Sequence, residues 1–145
     1  AIKAGGGFGW VRVPSIDVLK KYWNELLLIK TNKLIVGRLN GAIAGTLLLS
    51  FSTPNNEAQK NIAKIQSHFV APWARGYGLA KAMIDFTENV SRENDTKCIQ
   101  LDVRETQEAA IKLFKTKGYK LWGENPHYAF VNGNFIKGIY FYKNI

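Results

Sequence analysis

Few side chains in these 145 residues move a proton near neutral pH: two histidines and one cysteine. His68 lies in the run Ile62–Val70, where strand alternation puts it on one side with Ile62, Lys64 and Gln66 and leaves Ala63, Ile65, Ser67 and Phe69 on the other. An intrinsic pKa of about 6.5 suits histidine to accept a proton from an amine, directly or through a water. A lone strand histidine can also be a hydrogen-bonded structural residue. Gln66 cannot titrate, so its part would be to orient a substrate or a water. Asp102, on the polar side of the run Lys97–Val103, could receive an ammonium, act as a base, or cap the turn before the next helix. Cys98 alternates onto the face of Asp102 but lacks a basic neighbour in sequence, which reads as a small core residue. His127, beside Pro126, reads as exposed.

The second chemical feature is a loop. Pro72 ends the Ile62–Val70 ladder because it has no amide hydrogen to donate. Arg75-Gly76-Tyr77-Gly78-Leu79-Ala80 follows, and its two glycines and small residue let backbone approach a ligand closely. Unpaired amides at a helix start, with the positive end of the dipole behind them, make an anion site suited to a phosphate-bearing cofactor. A tight turn would use the same glycines. Other phosphate patterns fail: there is no Gly-Lys-Ser/Thr of a P-loop, and Gly5-Gly6-Gly7-Phe8-Gly9-Trp10 breaks the dinucleotide spacing at Trp10 and follows no strand.

The elements that must position these groups follow from periodicity. Ser15 can cap a helix with Asp17 in its first turn, and Ile16, Leu19, Trp23, Leu26 and Leu27 give it a core-facing stripe through about Ile29. Leu34–Leu39 and Ala42–Ser50 flank Asn40-Gly41, a strong hairpin signal. A polar loop with Pro54 leads into Ile62–Val70. Leu79, Met83, Phe86 and Val90 mark a second helix, and Ile99, Leu101 and Val103 share one face of the next strand. A third helix runs from about Gln107, with Thr106 as cap, to Gly118 at the left-handed position. Tyr119–Trp122 reads as a short strand, and Tyr128–Val131 and Asn134–Tyr142 flank a second Asn-Gly turn. This order predicts a single domain, residues 1–145, with a mixed sheet and helices on its faces.

Composition narrows the classes. An apolar fraction of 46% supports a sizeable core, and no apolar run approaches the roughly 20 residues of a membrane span. With Cys98 as the only cysteine no internal disulfide forms, and a cytoplasmic location fits. Two histidines and one cysteine make no convincing structural zinc site, so no metal is expected. The net charge of +9 favours anionic partners, with nucleic acid, anionic membrane and polyphosphate cofactors all open.

The pattern of Val70, Pro72, Arg75, Gly78 and Ala80 resembles the acetyl-coenzyme A motif of the GNAT superfamily of N-acetyltransferases, Gln/Arg-x-x-Gly-x-Gly/Ala. The element order is similar from that family's second helix onward, so the resemblance covers nearly the whole chain. It implies an α/β (α+β) fold: a mixed, mostly antiparallel central sheet with helices on both faces, the usual first strand and first helix missing and the domain incomplete at its N-terminus. An exposed sheet edge would favour a homodimer.

The implied reaction is direct attack of a primary amine on acetyl-CoA, without an acetyl-enzyme. Backbone groups of Phe69 and Val70 would pair with the pantetheine arm, where an amide also polarises the thioester carbonyl. Amides of Arg75, Gly76, Tyr77, Gly78, Leu79 and Ala80 would grip the pyrophosphate, with Trp73 as a shield or an adenine platform. Gln66 and His68 would face the substrate cleft, and His68 or Asp102 would be the base. Gln107–Tyr119 is similar to Asn-x-x-Ala-x-x-Leu-Tyr-x-x-x-Gly-Phe, with Ala110, Leu113 and Gly118 matching and Gln107 in place of asparagine.

Phe114 stands where the family has a tyrosine that protonates the thiolate. A positioned acid is worth about 10²–10⁴-fold, but a thiol with a pKa of about 8.5 is a tolerable leaving group. Tyr128, Tyr140 or Tyr142 could substitute. Tyr22-Trp23, Gln66, Leu101-Asp102, Pro126-x-Tyr128-Ala129 and Phe141-Tyr142-Lys143 are similar to bacterial acetyltransferases of the tabtoxin-resistance type, which modify a small amino-acid-like toxin. That suggests a small-molecule amine as substrate, with neither nucleic acid nor membrane as partner. His127 departs from the acidic residue expected after the proline. The alternatives are a catalytically weakened acyl-CoA-binding protein, motivated by Phe114, and a basic nucleic-acid-binding domain, motivated by the charge.

Overall fold

The computed structural model describes residues 1–5 and 8–145, so Gly6 and Gly7 of the glycine-rich start lie outside the described residues. Ser15 Oγ accepts from the amide of Val18 at 3.4 Å and opens α1 (Ile16–Leu28). Asn40 and Gly41 both take left-handed φ values, 50° and 82°, which join β1 (Asn32–Leu39) to β2 (Ala42–Phe51) in a tight hairpin. There follow β3 (Ile62–Val70), α2 (Leu79–Glu93), β4 (Cys98–Arg104), α3 (Glu108–Thr116), β5 (Lys120–Val131) and β6 (Asn134–Asn144). The six strands form one sheet in the order β1-β2-β3-β4-β6-β5. Only β3 and β4 run parallel, because α2 carries the chain back between them.

The core lies between the sheet and α2 and α3. Leu47, Leu49, Ala63, Ile65, Ile99 and Phe141 pack there against Met83 and Ile84 of α2 and Phe114 of α3. Trp23 of α1 meets Phe8, and Phe8 meets Phe69, both edge-on. Phe69 points away from the core, so α1 covers the opposite face of the sheet.

Four expectations change. No residue of α1 is buried: Leu19, Trp23 and Leu26 are half-covered, while Ile16 is 69% exposed and Leu27 58% exposed. The helix lies over the edge strand β1, which offers one line of contact rather than a groove. In α2 the buried stripe is Met83, Ile84, Thr87, Glu88 and Ser91, and Phe86 faces outward. Glu88 is tolerated inside because Lys143 Nζ donates to both its oxygens at 2.8 Å. Thr106 does not cap α3, whose N-cap is Gln107 without a side-chain cap bond. The two short strands expected around residues 119–131 are one strand, β5, which stays paired with β6 across an irregularity between Asn125 and Ala129.

Candidate active site

The parallel pairing of β3 with β4 lasts only from Ile62↔Cys98 to Ile65↔Leu101. Beyond it β3 pairs with β2 alone and β4 with β6 alone, so the sheet splays open at its centre. Backbone of β3 beyond Ile65 therefore has no β4 partner, and from Gln66 to His68 it lines a gap. A cavity of about 580 Å³ fills that gap and reaches both faces of the sheet.

At the gap β3 carries a bulge. Ser67 has φ 49°, and between the pairs Leu48↔Gln66 and Thr46↔Phe69 the strand holds one residue more than β2. Thr46 Oγ1 donates to the Ser67 carbonyl at 3.2 Å and steadies it. The extra residue inverts the alternation: Ala63 and Ile65 face the core, and past the bulge His68 and Val70 do, while Gln66 and Phe69 face away. Gln66 and His68 thus do not share a face, contrary to strict alternation. Both still line the cavity, from opposite sides of the splay.

His68 packs edge-on against Phe114 at 5.7 Å. Its Nε2 is buried with no hydrogen-bond partner among the described residues, and burial drives its pKa down to about 4. The ring is therefore neutral at physiological pH. In the unfolded chain its pKa returns to about 6.5, so the unfolded state binds more protons between those values. Stability contributed by neutral burial is complete above pH 6.5 and is lost as pH falls towards 4, by roughly 3 kcal/mol at most. The thermal midpoint of wild-type protein should therefore drop more steeply from pH 7 to pH 4 than that of His68→Leu. Parallel profiles would rule this out.

On the other side of the splay, Tyr128 Oη donates to Asp102 Oδ2. Asp102 accepts from Tyr128 rather than capping a turn. Partial burial, followed by the Asp102 hydrogen bond and charge, raises the Tyr128 pKa far above its usual value, and the nearby Arg104 opposes the rise only in part. Tyr128 stays a proton donor throughout the neutral range. A smaller hollow of about 180 Å³ continues along this face from Gln66 and Asp102 to Trp122 and Tyr140. Tyr142 lines neither hollow, and His127 is exposed against Phe135.

The glycine loop expected before α2 is present. Gly76 and Gly78 are left-handed, φ 86° and 76°, and Gly78 is the N-cap of the fifteen-residue α2 with no side-chain cap bond. Arg75 turns back instead of facing the loop: its Nε donates to the Val70 carbonyl at 3.3 Å and its guanidinium lies 6.0 Å from the Phe69 ring centre. Trp73 is exposed beside it. Gln107 lines the cavity and donates from Nε2 to the Gly5 carbonyl at 3.1 Å. Phe114 lines the cavity floor but is otherwise a core residue, 1% exposed and packed on Tyr119.

Two residues that belong to no motif also shape the site. Arg104 lines the cavity from the Asp102 side of β4, and its place two residues on is the signal that marks it. Gly138 is the seat of the Tyr128 ring: a Cβ there would collide with Tyr128 Cγ and Cδ2 and lie 2.7 Å from its Cβ. Among the described residues no group of three histidine, cysteine or acidic side chains could hold a metal ion, and no helix is long and apolar enough to cross a membrane.

A sheet splayed between its central parallel strands, with a glycine-capped helix following β3 and a carboxylate–phenol pair at the opening, is an architecture suited to an acyltransferase. The chain belongs to the acetyltransferase (GNAT) family, whose model matches residues 9–119. It is 46% identical over 107 residues to an uncharacterized N-acetyltransferase in the hisH-hisA intergenic region of Azospirillum brasilense, a match covering 74% of this chain and 64% of that relative. This chain thus spans less than two thirds of the relative's length. Among solved structures it is similar to a Salmonella typhimurium acetyltransferase crystallised with its cofactor acetyl-CoA, at TM-score 0.76 and 14% identity over 94% of this chain and 77% of that one. It is similar also to a variant of the spermidine N-acetyltransferase of Vibrio cholerae, at TM-score 0.74 and 21% identity over 90% and 75%.

Proposed function

We propose that this chain transfers the acetyl group of acetyl-CoA to the primary amine of a small molecule, by direct attack within a ternary complex. The observation that carries the reading is the cavity at the splay, which brings β3 backbone without a β4 partner, from Gln66 to His68, together with Asp102 and Tyr128. The residues present fit the cofactor: free β3 edge, uncapped α2 amides, and the unpartnered His68 Nε2 on the cavity wall. When bound, acetyl-CoA supplies an acetyl thioester as the electrophile.

Phe69 and Val70 would hold the pantetheine arm with their backbone, and Gly76 to Ala80 the pyrophosphate with their amides. Asp102 would receive the ammonium and take its proton at Oδ1 or Oδ2. The amine nitrogen would lose two protons on acylation: Asp102 would pass one to solvent, and Tyr128 Oη would give its proton to the thiol leaving group and regain the other through Asp102. His68, neutral and on the core side, would serve as a hydrogen-bond partner rather than the base. A cytoplasmic location and a homodimer paired along an open sheet edge belong to the same reading.

Purified protein given acetyl-CoA and a panel of small amines should release free thiol with at least one of them. Tight acetyl-CoA binding without thiol release on any amine would instead favour a binding protein of the same fold, a reading that the buried Phe114 supports. The seat under Tyr128 offers a second check. Gly138→Ala should displace the phenol from Asp102, costing about 10²-fold in kcat/KM through misplacement and about 1–3 kcal/mol through overpacking. Unchanged thiol release by a folded Gly138→Ala protein would remove Tyr128 from the reaction.

A further inference from the structure

Asp102 and Arg104 are the only ionised side chains among the residues lining the larger cavity, since His68 is neutral there. Neither belongs to an ion pair among the described residues. They alternate onto the same side of β4, so their Cα atoms stand about 6.7 Å apart. Tyr128 lies between their influences, bonded to Asp102 and within the field of Arg104. Arg104 is half-covered, and one of its nitrogens donates to the Gly5 carbonyl at 3.3 Å, which holds the guanidinium at the cavity wall with other donors to spare. Apolar residues, among them Val11 and Phe130, make up much of the remaining wall.

Resting on the acetyltransferase reading above, we infer that the acceptor is a zwitterion: a small molecule with an amine for Asp102 and an acidic group for Arg104, as in an amino acid or a close analogue. One negative and one positive wall group, two residues apart on the same side of β4, complement opposite charges on one compact ligand. A polyamine would set a second ammonium against Arg104, and a plain amine would leave the guanidinium partly desolvated and unpaired on binding. A planar guanidinium donating in pairs is the group that best reads a carboxylate.

Equilibrium binding to the protein, with and without coenzyme A, tests this for common amino acids, each beside its amide and its decarboxylated amine, with spermidine as a further probe. At least one acid should bind roughly 10- to 100-fold more tightly than its amide and its amine, the worth of a charge-assisted pair. Arg104→Gln should abolish that difference, and Arg104→Lys, which keeps the charge but not the paired donors, should restore part of it. Amides, amines or spermidine binding as tightly as the acids, an acid preference that survives Arg104→Gln, or no binding by any acid would each overturn the proposal. Selective acid binding without thiol release would refute acetyl transfer and leave the zwitterion site standing, so the two readings fail separately.

Discussion

Asp102→Asn is expected to lower kcat/KM for thiol release by about 10²–10⁴-fold. The substitution keeps the size of the side chain and its ability to bond Tyr128, but removes the negative charge and the site that takes up a proton. Acetyl-CoA affinity should be retained, because the open β3 edge and the α2 amides lie on the other side of the splay. The alternative base predicts the reverse. If His68 accepted the proton, Asp102→Asn would leave the rate near wild type, and a limb near the His68 pKa of about 4 would dominate the pH–rate profile. A single measurement series, thiol release against pH for wild type and Asp102→Asn, decides between them. The geometry favours Asp102 because it is partnered by a proton donor and faces the hollow leading to Trp122 and Tyr140.

The second large effect concerns stability. Phe114→Ala should cost about 3–5 kcal/mol, a sizeable part of the 5–15 kcal/mol that holds a typical domain folded. Its ring is 1% exposed and meets both His68 and Tyr119 edge-on, so truncation removes contacts on two sides and leaves a hole against α3. Urea unfolding followed by fluorescence should show a lower midpoint with an unchanged slope. A midpoint near wild type would mean that α3 collapses into the space. The result also bears on why a phenylalanine stands here: the position is part of the core, and the proton donor proposed for this site, Tyr128, comes from β5 across the splay.

Much of this molecule was legible along the chain. Ser15, the Asn-Gly pairs at residues 40–41 and 132–133, Pro72, the glycines at 76 and 78, and Gly118 act through local backbone geometry, which needs no neighbour to operate. They set the order of elements, both hairpins and the loop at the α2 N-terminus. The alternating apolar residues of β3 and β4 likewise marked strands with one covered face.

What depended on contact between distant segments was not legible. The bulge at Ser67 sits on a residue with no sequence preference for positive φ, and it turned His68 from the face of Gln66 to that of Phe114. A strand's alternation is only as reliable as its register, and register is set by the partner strand. The stripe of α1 has helical spacing yet no buried residue, because burial depends on how much surface lies opposite. Asp102, Arg104, Tyr128 and Gly138 come from three strands, and only the pairing of β6 between β4 and β5 makes one site of them. The chain alone therefore determined the fold class and the anion loop through local backbone rules, while the tertiary structure decided which side chains face one another across the splay.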